Sequence, residues 1–226
     1  MIVAIMQPTY LPWVGYFNLI SKSEYFVFLD DVQFDKRSWQ QRNKIIINSH
    51  QRYLTVPVLS KNKYLQKLSE VKIDNSKKWQ KIHLNSIKFN YGKHKYFDEF
   101  FHCIEKIYLQ NNEYLINLNI KLILEITKYL DIKINHGLSS SYEIEKKGGH
   151  KIYEILKKLN ALKYLSPVGS KVYLDKIREF HEKKIELEYI DYKCKSYYQK
   201  NHSKFLSHLS ILDLIFNHGK ASIKFF

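Results

Sequence analysis

Two adjacent aspartates, Asp30 and Asp31, are well suited to chemistry because they directly follow an apolar run at residues 25–29. Neighbouring carboxylates repel one another, so one of them could be held partly protonated or could bind an amine or a metal ion. Alternatively, one caps a turn while the other faces solvent. Gln33, two residues further along, adds a neutral hydrogen-bond donor and acceptor. This grouping favours a functional site at the end of a strand.

A second group of polar side chains, Gln7, Thr9 and Tyr10, lies between an apolar run and a predicted helix. Free backbone N–H groups at a helix N-terminus attract anions such as phosphate. The same residues fit a simpler role, in which Thr9 caps the helix and Tyr10 packs in the core. The sequence leaves both alternatives open, and it adds Tyr16 on the following helix as a candidate for substrate binding.

The segment after the aspartates is basic and aromatic, with Lys36, Arg37 and Arg42 interleaved with Trp39 and Asn43. The planar fork of arginine suits phosphate or carboxylate, and an indole ring can stack on a sugar or a base. The alternative is a solvated basic loop. Because the segment continues directly from the aspartates, we predict that it takes part in the same site.

A third strand end, residues 166–170, contains Ser166, Gly169 and Ser170 and resembles a small anion nest ahead of a helix. Such loops are often only tight turns, so this pattern is generic. His150 follows a glycine pair at another predicted helix start. A lone histidine there more often caps or packs than catalyses.

Several well-known classes of site have no motif in this sequence. It offers no Ser-His-Asp or Cys-His arrangement, no Walker loop and no dinucleotide glycine fingerprint. Its two cysteines, Cys103 and Cys194, have no partners at zinc spacing. We therefore predict no metal site and no cofactor.

The candidate residues are positioned by an alternation of strands and helices. Apolar runs at 2–6 and 25–29 predict neighbouring strands, and helical spacing at 12–23 predicts the helix between them. Further strands are predicted at 44–47, 52–58, 70–73, 132–135, 163–165 and 185–190. Further helices are predicted at 76–91, 95–108, 114–130, 151–159, 172–182 and 209–216.

This alternation predicts an α/β fold, with a Rossmann-like, mostly parallel sheet and helices on both faces. We expect one domain over residues 1–226, with a small β excursion at 44–73 and a long helical crossover at 76–130. In such sheets ligands bind at the carboxyl ends of the strands. The three polar strand ends described above should therefore meet there.

The composition is that of a globular protein with a large basic excess. Hydrophobic residues make up 45 %, and 37 Lys and Arg against 22 Asp and Glu give a formal net charge of +15. A basic face could meet nucleic acid, anionic lipid, a phosphorylated substrate or an acidic protein. The abundance of Lys, Ile and Asn along the whole chain favours compositional drift instead. With no leader pattern and no apolar stretch near ~18 residues, we expect a cytoplasmic protein without a transmembrane segment.

Six runs of the sequence, in their order along the chain, resemble the WbqC-like protein family. They are Met6-Gln7-Pro8, residues 12–17 (PWVGYF), 30–34 (DDVQF), 42–45 (RNKI), 164–175 and 209–217 (LSILDLIFN). Where an acidic residue is expected after a glycine pair, this chain has His150. The resemblance implies a bacterial protein, often from loci that build surface polysaccharides. It also implies a role in attaching an amino-acid or acyl group to an aminosugar.

The opening strand, loop, helix and second strand also resemble the HxGH nucleotidylyltransferase superfamily at the level of fold. In that superfamily two histidines flank a glycine, and here Trp13 and Tyr16 stand at those positions. Trp and Tyr cannot supply the cationic stabilisation of histidine. The resemblance therefore implies a shared fold without nucleotidyl transfer.

Together these features predict a transferase that forms an amide on a nucleotide-linked aminosugar, with an acyl or aminoacyl thioester as donor. An acidic carrier protein could present that donor. Asp30 or Asp31 would orient or deprotonate the sugar amine, and Gln33, Tyr10 or Asn43 would position the acyl carbonyl. The residues predicted to bind substrate are Gln7, Tyr16, Arg37, Trp39, Arg42, Asn43, Ser166, Gly169 and Ser170. The alternative is a non-catalytic protein that binds a nucleotide sugar or an enzyme partner. Nucleic acid is not an expected partner, because no recognised motif for it is present.

Overall fold

The computed structural model describes residues 1–182, 184–200 and 202–226. The strands are β1 (Ile2–Met6), β2 (Tyr25–Phe28), β3 (Arg42–Ile47), β4 (His50–Thr55), β5 (His136–Leu138), β6 (Lys163–Pro167) and β7 (Glu186–Ile190). The α-helices are α1 (Val14–Ser21), α2 (Trp79–Tyr91), α3 (Phe97–Leu109), α4 (Leu115–Tyr129), α5 (Gly148–Lys158), α6 (Lys171–Leu174), α7 (Arg178–His181) and α8 (Ile211–His218).

The chain divides into two compact units. The first unit comprises Met1–Gln7, Gly15–Asp31 and Lys133–Lys193, and the second comprises Pro8–Val14, Val32–Ile132 and Cys194–Phe226. Most of the second unit is therefore inserted between β2 and β5 of the first. The expectation of one domain over the whole chain stays a prediction.

The first unit is built on a five-stranded sheet in the order β5-β2-β1-β6-β7, with every neighbouring pair parallel. In its centre, Ala4 of β1 lies opposite Phe26 of β2 and Leu165 of β6. The prediction that residues 2–6 and 25–29 form neighbouring parallel strands is confirmed. Because the strands are parallel, their carboxyl ends meet at one edge of the sheet.

Helices cover both faces of this sheet, as predicted. Successive residues of a strand point to opposite faces, and on β2 each face meets a different helix. Val27 belongs to a buried cluster that includes Ile152 of α5. Phe26 points the other way and meets Tyr16 of α1, with ring centroids 5.5 Å apart. Burial on both faces explains why the central strands are apolar at nearly every position.

The second unit combines a β-hairpin with the helices α2, α3, α4 and α8. Strands β3 and β4 are antiparallel, from the pair Arg42 and Thr55 to the pair Ile47 and His50. Asn48 and Ser49 connect them, and both have positive φ, as a tight two-residue hairpin loop requires. The buried aromatic and aliphatic residues of α3 recur every three or four positions, so one side of this helix faces the core.

Two strand predictions are wrong. The segment 70–73 does not form a strand; a 3-10 turn spans Leu68–Glu70, and Ile73 makes only an isolated bridge with Val58. The strand predicted at 132–135 lies instead at His136–Leu138, because pairing with β2 selects those residues. The strand predicted at 52–58 is observed as β4, His50–Thr55, and therefore ends three residues earlier than expected.

Helix boundaries differ from the predicted ones by a few residues in most helices, and two differences have a clear structural form. The helix predicted at 172–182 is two short helices, α6 and α7. The first long helix of the insertion begins at Trp79 rather than at 76, because the Asp74 carboxylate accepts hydrogen bonds from the backbone and hydroxyl of Ser76 in a turn. Within the described part of the chain, no helix has the length and apolar character needed to cross a membrane.

Candidate functional site

The strand order of the first unit reverses between β1 and β6. From β1 the chain moves outward through β2 to β5, and it then returns to the other side of β1 for β6 and β7. Ligands of open parallel sheets bind outside the carboxyl ends of the strands at such a reversal. Gln7 follows β1 here, and its carbonyl accepts a hydrogen bond from the Tyr16 hydroxyl at 3.2 Å.

The loop after β6 is closed by its own hydroxyls. Ser166 Oγ lies 2.6 Å from Ser170 Oγ, and Ser170 Oγ donates to the carbonyl of Pro167 at 2.7 Å. Both serines are buried. Gly169 is exposed, and a Cβ there would meet no atom within 4 Å, so sterics do not demand glycine. The simpler alternative, a tight turn, accounts for these contacts, and binding of phosphate stays a prediction.

The Asp30–Asp31 pair sits in a network after β2. Asp30 is buried, and its Oδ1 accepts from the Ser140 backbone N–H at 2.8 Å and lies 2.8 Å from Ser139 Oγ. Asp31 Oδ1 lies 2.5 Å from the same Ser139 Oγ, and its Oδ2 accepts from Lys151 Nζ at 2.5 Å. In the simpler alternative, one aspartate caps a turn and the other faces solvent. Asp31 fits neither role, because its two oxygens contact Ser139 and Lys151 and its side chain is 13 % exposed.

Sequence reasoning missed both Ser139 and Lys151 of this network. The Lys151 side chain is 7 % exposed, and its ammonium also donates to the carbonyl of Ile144 at 2.8 Å. The neighbouring His150 is exposed and 3.3 Å from Glu179. A Cβ on Gly149 would come within 2.5 Å of the Ile177 side chain, so glycine lets α5 pack closely and sets the position of Lys151. That glycine pair was the one available signal.

In the second unit, Tyr10 lies in a buried polar cluster. Its hydroxyl is 2.8 Å from His83 Nδ1 and also hydrogen-bonds the Tyr108 hydroxyl. Burial lowers the pKa of His83 to about 4, although a hydrogen bond to the Thr55 backbone opposes this shift. Burial also raises the pKa of Tyr10 well above its ordinary value, and Tyr108 adds to the effect. Burial raises the pKa of Tyr108 as well, so the three side chains are neutral.

Side-chain amides hold the loop that carries Tyr10. Asn43 Nδ2 donates to the carbonyl of Leu11 at 2.7 Å, and Asn119 Nδ2 donates to the carbonyl of Pro8 at 3.0 Å. Leu11 has a φ of 44°, a strained value for leucine. Asn43 is buried and contributes to the shape of this loop. A direct role of Asn43 on substrate stays a prediction.

Gln33 lies beside a cavity within the second unit. The cavity has a volume of about 720 Å³ and is lined by residues 33–36, 58–64 and Asp74. Gln33 Nε2 donates to the carbonyl of Tyr64 at 3.0 Å, which fixes one wall. Three lysines and two aspartates contribute to the lining, so its polarity is mixed.

The basic and aromatic residues of the second unit are partly brought together. Arg37 is exposed, with its backbone N–H donating to Gln41 Oε1 at 3.2 Å. Trp39 and Arg42 both contact the ring of Tyr53, a residue that the sequence did not single out. The expectation that the polar strand ends and the basic segment form one site stays a prediction.

Comparison with known proteins identifies a family and a relative that match nearly the whole chain. The model of the WbqC-like protein family matches residues 7–225. An uncharacterized protein of Mycobacterium tuberculosis (strain ATCC 25618 / H37Rv), Rv1507c, is 34 % identical over 218 residues, which cover 96 % of this chain and 94 % of that protein. No solved structure matches the chain. The chain belongs to the WbqC-like protein family.

Proposed function

We propose that this protein is a transferase that forms an amide on a nucleotide-linked aminosugar, using an acyl or aminoacyl thioester as donor. The observation that carries the proposal is the Asp31 carboxylate. It lies after β2, at the edge of the parallel sheet where ligands of such folds bind. Its side chain remains 13 % exposed while Ser139 and Lys151 fix its orientation.

The two aspartates have different surroundings, which supports different roles. Asp30 is buried and bonds the start of the turn after β5 through Ser139 and Ser140, as an anchoring carboxylate does. Asp31 shares Ser139 but also pairs with Lys151. We therefore assign the proton transfer to Asp31 and the anchoring of the turn to Asp30.

In the proposed step, the sugar amine attacks the carbonyl carbon of the thioester, so that a C–N bond forms and the C–S bond breaks. Asp31 accepts the proton that the nitrogen loses, and the sulfur leaves as a thiolate. That proton then passes to the thiolate. A positioned base of this kind typically contributes ~10²–10⁴-fold in rate. Lys151 acts as a positioning residue because it holds one oxygen of Asp31 in place.

One observation favours a second candidate function. Each oxygen of Asp31 already has a partner in the chain, Ser139 or Lys151. A network satisfied in this way also suits a non-catalytic protein that binds a nucleotide sugar or an enzyme partner. Membership of the WbqC-like family implies an origin in loci that build surface polysaccharides, and this supports a sugar as the ligand in either case.

The two candidates are separated by paired substitutions, Asp31→Asn and Asp30→Asn. The assay follows amide formation from a thioester donor and a nucleotide-linked aminosugar, with sugar binding measured by calorimetry. We expect Asp31→Asn to lose ~10²–10⁴-fold in rate while sugar binding changes far less. Asp30→Asn should lower the melting temperature, and its loss in rate should be smaller than that of Asp31→Asn. A wild-type rate in folded Asp31→Asn would refute the role of this carboxylate. Sugar binding by the wild type without transfer from any donor would favour the binding protein.

A further inference from the structure

A strongly basic stretch of the sequence spans residues 36–69. It contains eight Lys and Arg and no Asp or Glu. An even spread of the 22 acidic residues over 226 positions would place about three in a stretch of this length. The stretch includes the hairpin β3–β4 and belongs wholly to the second unit. Compositional drift towards lysine alone does not explain the missing carboxylates.

Two of these cations are presented at one aromatic ring. Arg42 and Lys44 alternate along β3 and therefore share a face of the hairpin, and Lys44 is paired with Tyr53 of β4. Arg42 Cζ lies 4.2 Å and Lys44 Nζ lies 5.6 Å from the centre of the Tyr53 ring. Among the residues that the structure describes, no carboxylate lies within 4.0 Å of either cation.

A second exposed ring adjoins this arrangement. The Trp39 indole lies 6.1 Å from the Tyr53 ring, between centroids, at an interplanar angle of 46°. Trp39 is 47 % exposed and Tyr53 is 43 % exposed. Open π-faces next to unpaired cations can bind a flat aromatic group that carries negative charge.

We infer that Trp39, Arg42, Lys44 and Tyr53, here called the hairpin cluster, bind a nucleoside diphosphate group. The base stacks on the open face of Trp39, and the phosphates bind Arg42 and Lys44. The planar guanidinium suits a bidentate contact with phosphate. This inference rests on the proposed function for the identity of the ligand, and it adds Lys44 and Tyr53 to the residues that hold it.

The dimensions of the cluster favour one nucleotide over a nucleic-acid strand. Proteins that bind single strands use grooves that cover several nucleotides, about 4–16 per OB-fold. The hairpin cluster offers two rings 6.1 Å apart and two cations at one of them. That arrangement matches one base and its phosphates.

Fluorescence titration with UDP, CDP, GDP, ADP and dTDP tests the inference without any donor or turnover. The described structure buries Trp79 and stacks Trp13 on His208, so Trp39 is the indole placed to respond to a stacked base. We expect quenching by at least one diphosphate, and loss of the quench in Trp39→Phe. The matching nucleoside keeps only the base contact, and inorganic pyrophosphate keeps only the phosphate contacts. Each should therefore bind at least about tenfold more weakly than the diphosphate.

Paired charge substitutions locate the site by calorimetry. Arg42→Gln should weaken diphosphate binding about 10- to 100-fold, the usual effect of losing a charge-assisted hydrogen bond. Arg52→Gln is the matched control. Arg52 precedes Tyr53 on β4 and pairs with Ile45, so it points to the other face of the hairpin and should leave binding unchanged.

Three results would overturn the inference. They are the absence of binding by every diphosphate, equal binding by wild type and folded Arg42→Gln, and tighter binding of a single-stranded oligonucleotide than of any mononucleotide. Failure of the proposed function is distinct from these results. If diphosphate binding follows Arg42 but no amide forms, the transferase assignment fails and the nucleotide site stands. If Arg42→Gln forms amide with an unchanged KM for the nucleotide sugar, the nucleotide site fails.

Discussion

Removal of the buried ammonium in Lys151→Met should destabilise the first unit strongly. Methionine keeps much of the length and apolar volume of the side chain, so packing of α5 changes little. The Asp31 carboxylate, 2.5 Å from Lys151 Nζ, would lose its counter-charge at a site where the side chains are 7 % and 13 % exposed. The carbonyl of Ile144 would lose its donor as well. Breaking one partner of a buried pair typically costs 3–5 kcal/mol, and we expect about 3 kcal/mol because Asp31 keeps some contact with solvent.

Lys146→Met is the matched control, since it also removes a lysine from an ion pair with a residue of α5. Lys146 Nζ lies 2.8 Å from Glu154, with side chains 55 % and 25 % exposed. Exposed pairs contribute little to stability. The free energy of unfolding of Lys146→Met should therefore stay close to that of the wild type.

The measurement must report on the first unit. All three tryptophans, Trp13, Trp39 and Trp79, lie in the second unit, so urea unfolding followed by tryptophan fluorescence could miss the effect. Far-UV circular dichroism, with hydrogen exchange of the α5 and β2 amides, monitors the relevant elements. The double variant Lys151→Met, Asp31→Asn should recover part of the loss, because the uncompensated charge is gone. A loss in Lys151→Met no greater than in Lys146→Met would refute a buried pair at this site.

Two further predictions concern the buried cluster of the second unit. Because the pKa of His83 is lowered to about 4 in the folded state and is near 6.5 when unfolded, its contribution to stability is complete above pH ~6.5 and is lost as the pH falls towards 4. This difference in the pKa of His83 corresponds to about 3 kcal/mol of folding free energy. His83→Gln should therefore flatten the acid limb of the stability profile, measured by the fluorescence of Trp79, whose ring centroid lies 5.4 Å from that of His83. An unchanged acid limb would contradict the lowered pKa of His83. Tyr10→Phe removes the hydroxyl between His83 and Tyr108 and should cost about 1–3 kcal/mol. The expected fall in melting temperature is several degrees, and an unaltered melting curve would show that this hydroxyl is dispensable.

The central strands could be predicted from sequence because burial leaves a local pattern. β1 and β2 are covered on both faces, so their residues are apolar or aromatic throughout and the sequence alone indicates two buried strands. β5 is different: of its three residues, His136 and Leu138 are exposed and Gly137 is half-buried. Its position is set by pairing with β2, more than 100 residues earlier in the chain. For this reason the prediction from the apolar residues at 132–135 put that strand in the wrong place.

The candidate site was only half predictable for a similar reason. Adjacent aspartates after an apolar strand are a visible signal, and the structure does place them together at a strand end. Their partners Ser139 and Lys151 come from distant segments, and each has an ordinary local context. A lysine in the first turns of a helix is usually solvated. Only the packing of α5 against the sheet buries this one.

The contrast between Asp30 and Asp31 follows from where each carboxylate finds its donors. Asp30 bonds the backbone of Ser140 and so fixes the turn after β5. That turn supplies Ser139, whose single hydroxyl proton can serve only one carboxylate at a time. Among the described residues, Lys151 forms an ion pair with Asp31 and with no other carboxylate, so the charge of Asp31 is balanced by a cation while Asp30 has neutral donors. Two identical neighbouring residues therefore have different surroundings: Asp30 anchors the turn after β5, and Asp31 is a partly exposed carboxylate paired with Lys151.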